Sequence, residues 1–135
     1  MPNYSNTTPP FALSSGDVGF SFNNEAFPGG AQAGTQFALP SFTGASDGGT
    51  AVRWQTIFTT PPTAVSIALQ AAMADVDTEY QNIDISSATA GEARSVPNNL
   101  STTTAPSLGT VQAKFLRIKF LSSTGGAGLT AKILV

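Results

Sequence analysis

The sequence contains no cysteine and no histidine. Those two absences together remove disulfides, thiol nucleophiles, zinc sites built on thiolate or imidazole, and any Ser–His–Asp arrangement. They also leave the redox compartment unreadable. Charge is scarce as well. Only 10% of residues are charged, where about a quarter is usual in globular chains. A net charge of -2 points to neither nucleic acid nor an anionic membrane as a partner. No apolar run approaches the ~20 residues of a membrane-spanning helix. The opening Met1-Pro2-Asn3-Tyr4-Ser5-Asn6 has neither the basic region nor the apolar stretch of a signal peptide, so a soluble protein made without a cleavable export signal is expected.

What is present points to strands. The chain has 135 residues, 41% hydrophobic, enough for one domain with a core. Serine and threonine number 31 and supply the surface polarity that charge does not. Val52, Trp54, Thr56 and Phe58 alternate with Arg53, Gln55 and Ile57. Val65, Ile67 and Leu69 alternate with Ser66, Ala68 and Gln70. Both runs have the two-residue period of strands with one face buried. Trp54, in phase with Val52 and Phe58, is expected in the core. Ile83 and Ile85 are expected to share one side of a further strand. Thr60-Pro61-Pro62-Thr63 reads as a corner between strands, since two prolines cannot sit in a central ladder. Ala45-Ser46-Asp47-Gly48-Gly49 reads as a turn and residues 98–109 as a long loop. No segment predicts a helix longer than one turn.

The clearest stretch is the last, residues 114–135. Leu116, Ile118 and Phe120 share one face, with Arg117 and Lys119 on the other. After Thr124-Gly125-Gly126-Ala127-Gly128, a second run places Leu129, Ala131, Ile133 and Val135 together. The pattern predicts a β-hairpin. It also predicts that Leu116, Ile118, Phe120 and Ile133 anchor the core. This segment is basic: residues 94–135 hold five of the six bases and no acid, whereas residues 1–93 hold all eight acids and Arg53 alone. Arg117 and Lys119 are therefore expected against acidic neighbours, within the subunit or across an interface.

Residues 1–34 are rich in proline, glycine and asparagine, with scattered phenylalanines. They read as an extended N-terminal arm, with at most one or two short strands, ahead of a β-sandwich domain at residues 35–135. Phe11, Phe20, Phe22 and Phe27, together with Arg117 and Lys119, are the interface candidates. They cover either their own sheet or a neighbouring protein. Short strands, Gly/Pro punctuation and no strand–helix alternation define the fold class: all-β, an antiparallel β-sandwich, jelly-roll-like. Asp75, Asp77 and Glu79 share part of a calcium loop's spacing but lack its central glycine and terminal bidentate acid, so a solvated loop is expected. Tyr80, next to that loop, is the candidate ligand-facing aromatic. No catalytic, cofactor-binding or metal-binding residue can be assigned, and an enzyme is not expected.

The segment from Thr59 to Val135 resembles a recurring β-sandwich of tailed-phage virion proteins. The resemblance rests on Thr60-Pro61-Pro62-Thr63-Ala64-Val65-Ser66-Ile67-Ala68-Leu69-Gln70, on Tyr80-Gln81-Asn82-Ile83-Asp84, and on Lys114-Phe115-Leu116-Arg117-Ile118-Lys119-Phe120 before a Gly-rich turn. Discoidin-like sugar-binding sandwiches share the same grammar. The virion resemblance implies a capsid cement or decoration protein, or a head or tail fibre module. Its implied partners are the major capsid protein or another virion protein, and copies of itself, with a trimer favoured. Its implied location is the virion. The sugar-binding alternative requires Tyr80 or Trp54 to be exposed.

Overall fold

The computed structural model describes residues 11–14, 16–39, 50–95, 110–111 and 113–135. The expected turn at 45–49 and the whole of the expected loop at 98–109, like residues 1–10 of the arm, lie outside these. Among the described residues eleven strands follow one another: β1 (Phe11–Ala12), β2 (Val18–Glu25), β3 (Gln32–Ala38), β4 (Thr50–Ala51), β5 (Arg53–Thr60), β6 (Ala64–Ala72), β7 (Gln81–Ser86), β8 (Glu92–Ser95), β9 (Thr110–Val111), β10 (Phe115–Thr124) and β11 (Ala127–Leu134). A 3-10 turn, Asp77–Glu79, lies between β6 and β7. No helix among the described residues is long and apolar enough to cross a membrane.

The strands form a five-stranded sheet, β1-β3-β10-β6-β7, a four-stranded sheet, β2-β11-β5-β8, and a small β4-β9 ladder. Every pairing is antiparallel except β1 with β3. The inward faces of both large sheets meet in one hydrophobic core. Phe37, Ile67, Leu69, Leu116, Ile118 and Phe120 come from the five-stranded sheet; Phe22, Trp54, Leu129, Ala131 and Ile133 come from the four-stranded one. Leu116, Ile118, Phe120 and Ile133 are fully or nearly fully buried, as their alternation predicts. Each such side chain removed from water contributes about 1.5–3 kcal/mol.

The terminal hairpin is not formed. β10 pairs with β3 and β6, and β11 pairs with β2 and β5. The Gly-rich turn thus carries the chain from the middle of one sheet to the middle of the other. The two apolar faces do meet, but across the core and not along a shared ladder. The Thr60–Thr63 corner makes the same crossing, from β5 to β6, and the two crossings lie side by side. The Thr63 backbone N–H and hydroxyl both donate to the Thr124 carbonyl, at 2.9 and 3.0 Å. A Cβ on Gly126, which has φ of 86°, would lie 2.8 Å from the Pro62 ring, so only glycine fits there.

The boundary expected at residue 34 falls inside β3. Residues 18–25 and 32–38 are integral strands, and Phe22 is wholly buried. In a regular strand Phe20 and Phe22 would share a side; an irregularity between them in β2 sets Phe22 into the core of its own chain and leaves Phe20 exposed.

The two sheets are joined at one point by a buried hydroxyl. β2 bulges at Ser21, because Lys132 pairs with Phe20 while the preceding Ala131 pairs with Phe22. β3 is irregular opposite Ile118, where Gly34 and Thr35 stand between the Gln36 and Ala33 pairings. Ser21 Oγ accepts from the Ile118 backbone N–H at 3.1 Å and donates to the Thr35 carbonyl at 2.8 Å. It therefore satisfies two groups that the ladder leaves open. The approach needs a glycine at position 34, where a Cβ would sit 2.4 Å from the Ser21 carbonyl oxygen. Ser21→Ala is expected to lower stability by about 1–3 kcal/mol, the cost of orphaning a buried N–H and carbonyl. Urea unfolding followed by Trp54 fluorescence measures it; an unchanged midpoint would contradict the bridging role.

Candidate interaction surface

The residues singled out from the sequence separate into buried and exposed sets. Arg117 points away from the core, as expected, but is only 1% exposed. The β6–β7 loop folds over it. Its guanidinium carbon lies 4.0 Å from the centroid of the Tyr80 ring, a cation–π contact. Nε donates to Gln70 Oε1 at 2.7 Å, and Nη1 donates to Asp77 Oδ1 at 2.7 Å. Gln70 Nε2 in turn donates to Asn82 Oδ1 at 2.8 Å. Arg117, Gln70 and Asn82 are in register on the adjacent strands β10, β6 and β7, so one hydrogen-bond chain runs laterally across the outer face. The acidic neighbour of Arg117 is thus Asp77 of the same chain. Lys119, two residues on, is half-buried on the same face.

Tyr80 is 7% exposed, and its hydroxyl donates to Asp75 Oδ1 at 2.9 Å. One of its faces covers Arg117, so it does not present a ring to a ligand. Trp54 is 2% exposed. Asp75 and Asp77 are engaged by Tyr80 and Arg117. The described residues hold no group of three or more candidate metal ligands.

A second polar cluster went unseen in the sequence. Ile83 and Ile85 were expected to share one side of this strand. Instead a register shift between the Leu69 and Gln70 pairings turns Asp84 and Ser86 inward and leaves Ile85 exposed. Asp84 accepts from Trp54 Nε1 at 2.9 Å and receives a bidentate pair from Arg94, Nε and Nη2 both at 2.9 Å. Arg94 also reaches Glu92. The hydrogen bond to Asp84 holds the Arg94 guanidinium proton above arginine's already high range; burial opposes this and Glu92 adds to it. Asp84 lies on the edge strand of one sheet, and Trp54 and Arg94 lie on the other, so the cluster ties the two edges together. The signal available in the sequence was an acid between two isoleucines, which does not show what it would pair with.

The exposed set lies elsewhere. Phe11 is 65% exposed and Phe20 40%. Phe27 is half-buried, with ring centroids 5.7 Å from both Phe58 and Phe120. Phe11, Val18 and Phe20 line a groove of about 450 Å³ where the edge strands β1 and β2 come together. A Cβ on Gly19 would meet the Phe37 ring at 2.8 Å, so the groove floor is closely packed. Val18 pairs with Leu134, which is also exposed, and Leu134 pairs with Arg53. Phe20 pairs with Lys132, whose ammonium lies 5.9 Å from the ring centroid, and Lys132 pairs with Gln55. The outer face of the four-stranded sheet therefore reads in two rows, Val18–Leu134–Arg53 and Phe20–Lys132–Gln55. It combines apolar and cationic side chains, and β2, β11 and β5 place no acid in those rows. This arrangement can hold another protein surface; it contains no acid–base pair poised for catalysis.

Removing one partner of the buried ion pair should be costly, because it strands the other. Arg94→Leu is expected to destabilise by about 3–5 kcal/mol. Replacing both Arg94 and Asp84 with leucine should cost clearly less than that single change. Trp54, the only tryptophan, gives the fluorescence readout. Equal losses for the single and double variants would contradict the pairing.

Compared with protein-family models, curated proteins and solved structures, this chain matches none.

Proposed function

We propose that the chain is a non-enzymatic structural protein of a virus particle. Its role is the one implied by the resemblance to tailed-phage virion sandwiches, a cement or decoration protein that stabilises the head by burying surface across subunit boundaries. The observation that carries this reading is that four of the eight exposed large apolar side chains among the described residues lie together. Phe11, Val18, Phe20 and Leu134 form a continuous strip along the meeting of β1 with β2 and onto the adjoining sheet face. A contiguous exposed apolar strip is the mark of an interaction surface. The buried ionic groups, by contrast, are engaged in holding the fold.

The strand order supports a jelly roll as the finer description. Take β2, β3, β5, β6, β7, β8, β10 and β11 as first to eighth. The sheets then run first-eighth-third-sixth and second-seventh-fourth-fifth. First pairs with eighth, second with seventh, third with sixth and fourth with fifth, as in one long ribbon wound into two sheets. Virion assembly by such a body is mechanical. An interface of ~1,600 Å² per contact, repeated around a shell, gives large total stability from modest single contacts.

The sugar-binding alternative required Tyr80 or Trp54 to be exposed, and both are buried.

Electron microscopy and mass analysis of particles made with and without the protein test the proposal. Phe11→Glu/Phe20→Glu, two changes at exposed positions, should leave the unfolding midpoint nearly unchanged and abolish incorporation. A protein that stays off particles and binds glycans as a monomer would overturn it.

A further inference from the structure

Two surfaces on opposite sides of the molecule complement each other in charge and in apolar character. One is the outer face of the four-stranded sheet. There Arg53 and Lys132 flank Val18 and Leu134 around a depression of about 270 Å³. Among the described residues neither base makes an ion pair. The other surface is the β6–β7 loop, which lies over the outer face of the five-stranded sheet through the Tyr80–Arg117 contact. This loop exposes apolar and acidic side chains together: Met73 is 58% and Val76 40% exposed, and Glu79 is exposed. The Asp77 side chain is 62% exposed even though Oδ1 accepts from Arg117.

We propose that the basic–apolar face of one copy docks the β6–β7 loop of a second copy. Val76 seats in the depression beside Val18 and Leu134, while Asp77 and Glu79 meet Lys132 and Arg53. The occupant follows from charge complementarity. Two basic faces brought together would set Arg53 and Lys132 against their own counterparts, and like charges so placed disfavour a pairing. The loop offers the opposite sign around an apolar centre, which is what the face lacks. Because the two surfaces lie on opposite sides, the contact is heterologous: each copy uses its face toward one neighbour and its loop toward another. Copies then add head to tail, closing into a ring or extending as a row, and do not form an isologous twofold dimer. This contact deepens the reading of the chain as an assembly protein and rests on it.

The test uses the full chain and two variants altered only at surface positions. The face variant is Arg53→Glu/Lys132→Glu. The loop variant is Met73→Ser/Val76→Ser/Glu79→Ser, which spares Asp75 and Asp77 and their bonds to Tyr80 and Arg117. Trp54 fluorescence on urea unfolding establishes that both fold. In sedimentation at low salt the wild-type mass should rise with concentration beyond a dimer, and ~1 M salt should reverse much of this rise, since exposed charges are screened there. Each variant alone should remain a monomer. Their equimolar mixture should form a dimer and stop, because it contains one working face and one working loop. If a variant fails to fold, the salt reversal and the growth past a dimer in wild type still decide the matter. A wild type that is monomeric throughout, or that stops at a dimer, would overturn the contact. So would a mixture that stays monomeric, or a variant that associates like wild type. A monomeric wild type whose Phe11→Glu/Phe20→Glu variant still loses particle incorporation would retire this contact alone. Head-to-tail association with no appearance on particles would retire the virion reading and keep the contact.

Discussion

Two strands adjacent in sequence, β10 and β11, lie in the middle of different sheets and press on the same core. The rest of the fold follows from that constraint. A chain that leaves one sheet must cross to the other within a few residues. At one end the crossings are the Pro61-Pro62 corner and the Gly125-Gly126 turn, packed against each other and joined at the Thr124 carbonyl. Each central strand then has a partner on both sides, so its backbone groups are satisfied within its own sheet. The inward side chains of the two strands meet as opposing walls of one apolar interior.

Such walls slide easily if only apolar contact holds them, since dispersion and burial are not directional. The polar groups supply direction. Ser21 reaches from β2 to a gap in the β3–β10 ladder, and Asp84 reaches from β7 to Trp54 and Arg94. Both bridges join one sheet to the other at defined positions. The Arg117–Gln70–Asn82 chain does different work. It runs along a single sheet and fastens the β6–β7 loop over it through Asp77 and Tyr80. Arg94 and Arg117 are committed internally in this way, whereas among the described residues Arg53 and Lys132, on the outer face of the four-stranded sheet, make no ion pair.

Much of this fold is legible in the sequence. The two-residue period of residues 52–58, 65–69 and 116–120 correctly gives strands and the sides that face the core, because the alternation of side chains is a local property; it does not show that the other side is covered as well at Ala68, Gln70 and Arg117. Pairing is not local. Apolar faces on residues 116–120 and 129–133 suit a hairpin or two opposing sheets equally well, and only the competing partners β6 and β5 decide between them. Register irregularities are equally hidden, and one of them separates Ile85, which is exposed, from Ile83, which packs on the core. Tyr80 looked like an exposed aromatic beside an acidic loop, and Arg117 like an outer-face residue set against acidic neighbours. Their burial depends on that loop folding back over the sheet, which no spacing signals. Phe22 belonged to an expected arm because proline and glycine around it masked an eight-residue strand. Phe11 and Phe20 are exposed on the strip, and that placement could be seen only once β1 and β2 were positioned side by side.

The central functional claim is that two distant surfaces, the basic–apolar sheet face and the acidic loop, are covered together when copies assemble. Hydroxyl-radical footprinting at dilute and at assembling concentrations tests it most directly, since Phe20, Leu134 and Met73 are all exposed and oxidisable. All three are expected to lose reactivity together as assembly proceeds, while Ile85, exposed on the edge strand β7, stays reactive. Protection of only one of the two surfaces, or protection centred on Ile85, would contradict it.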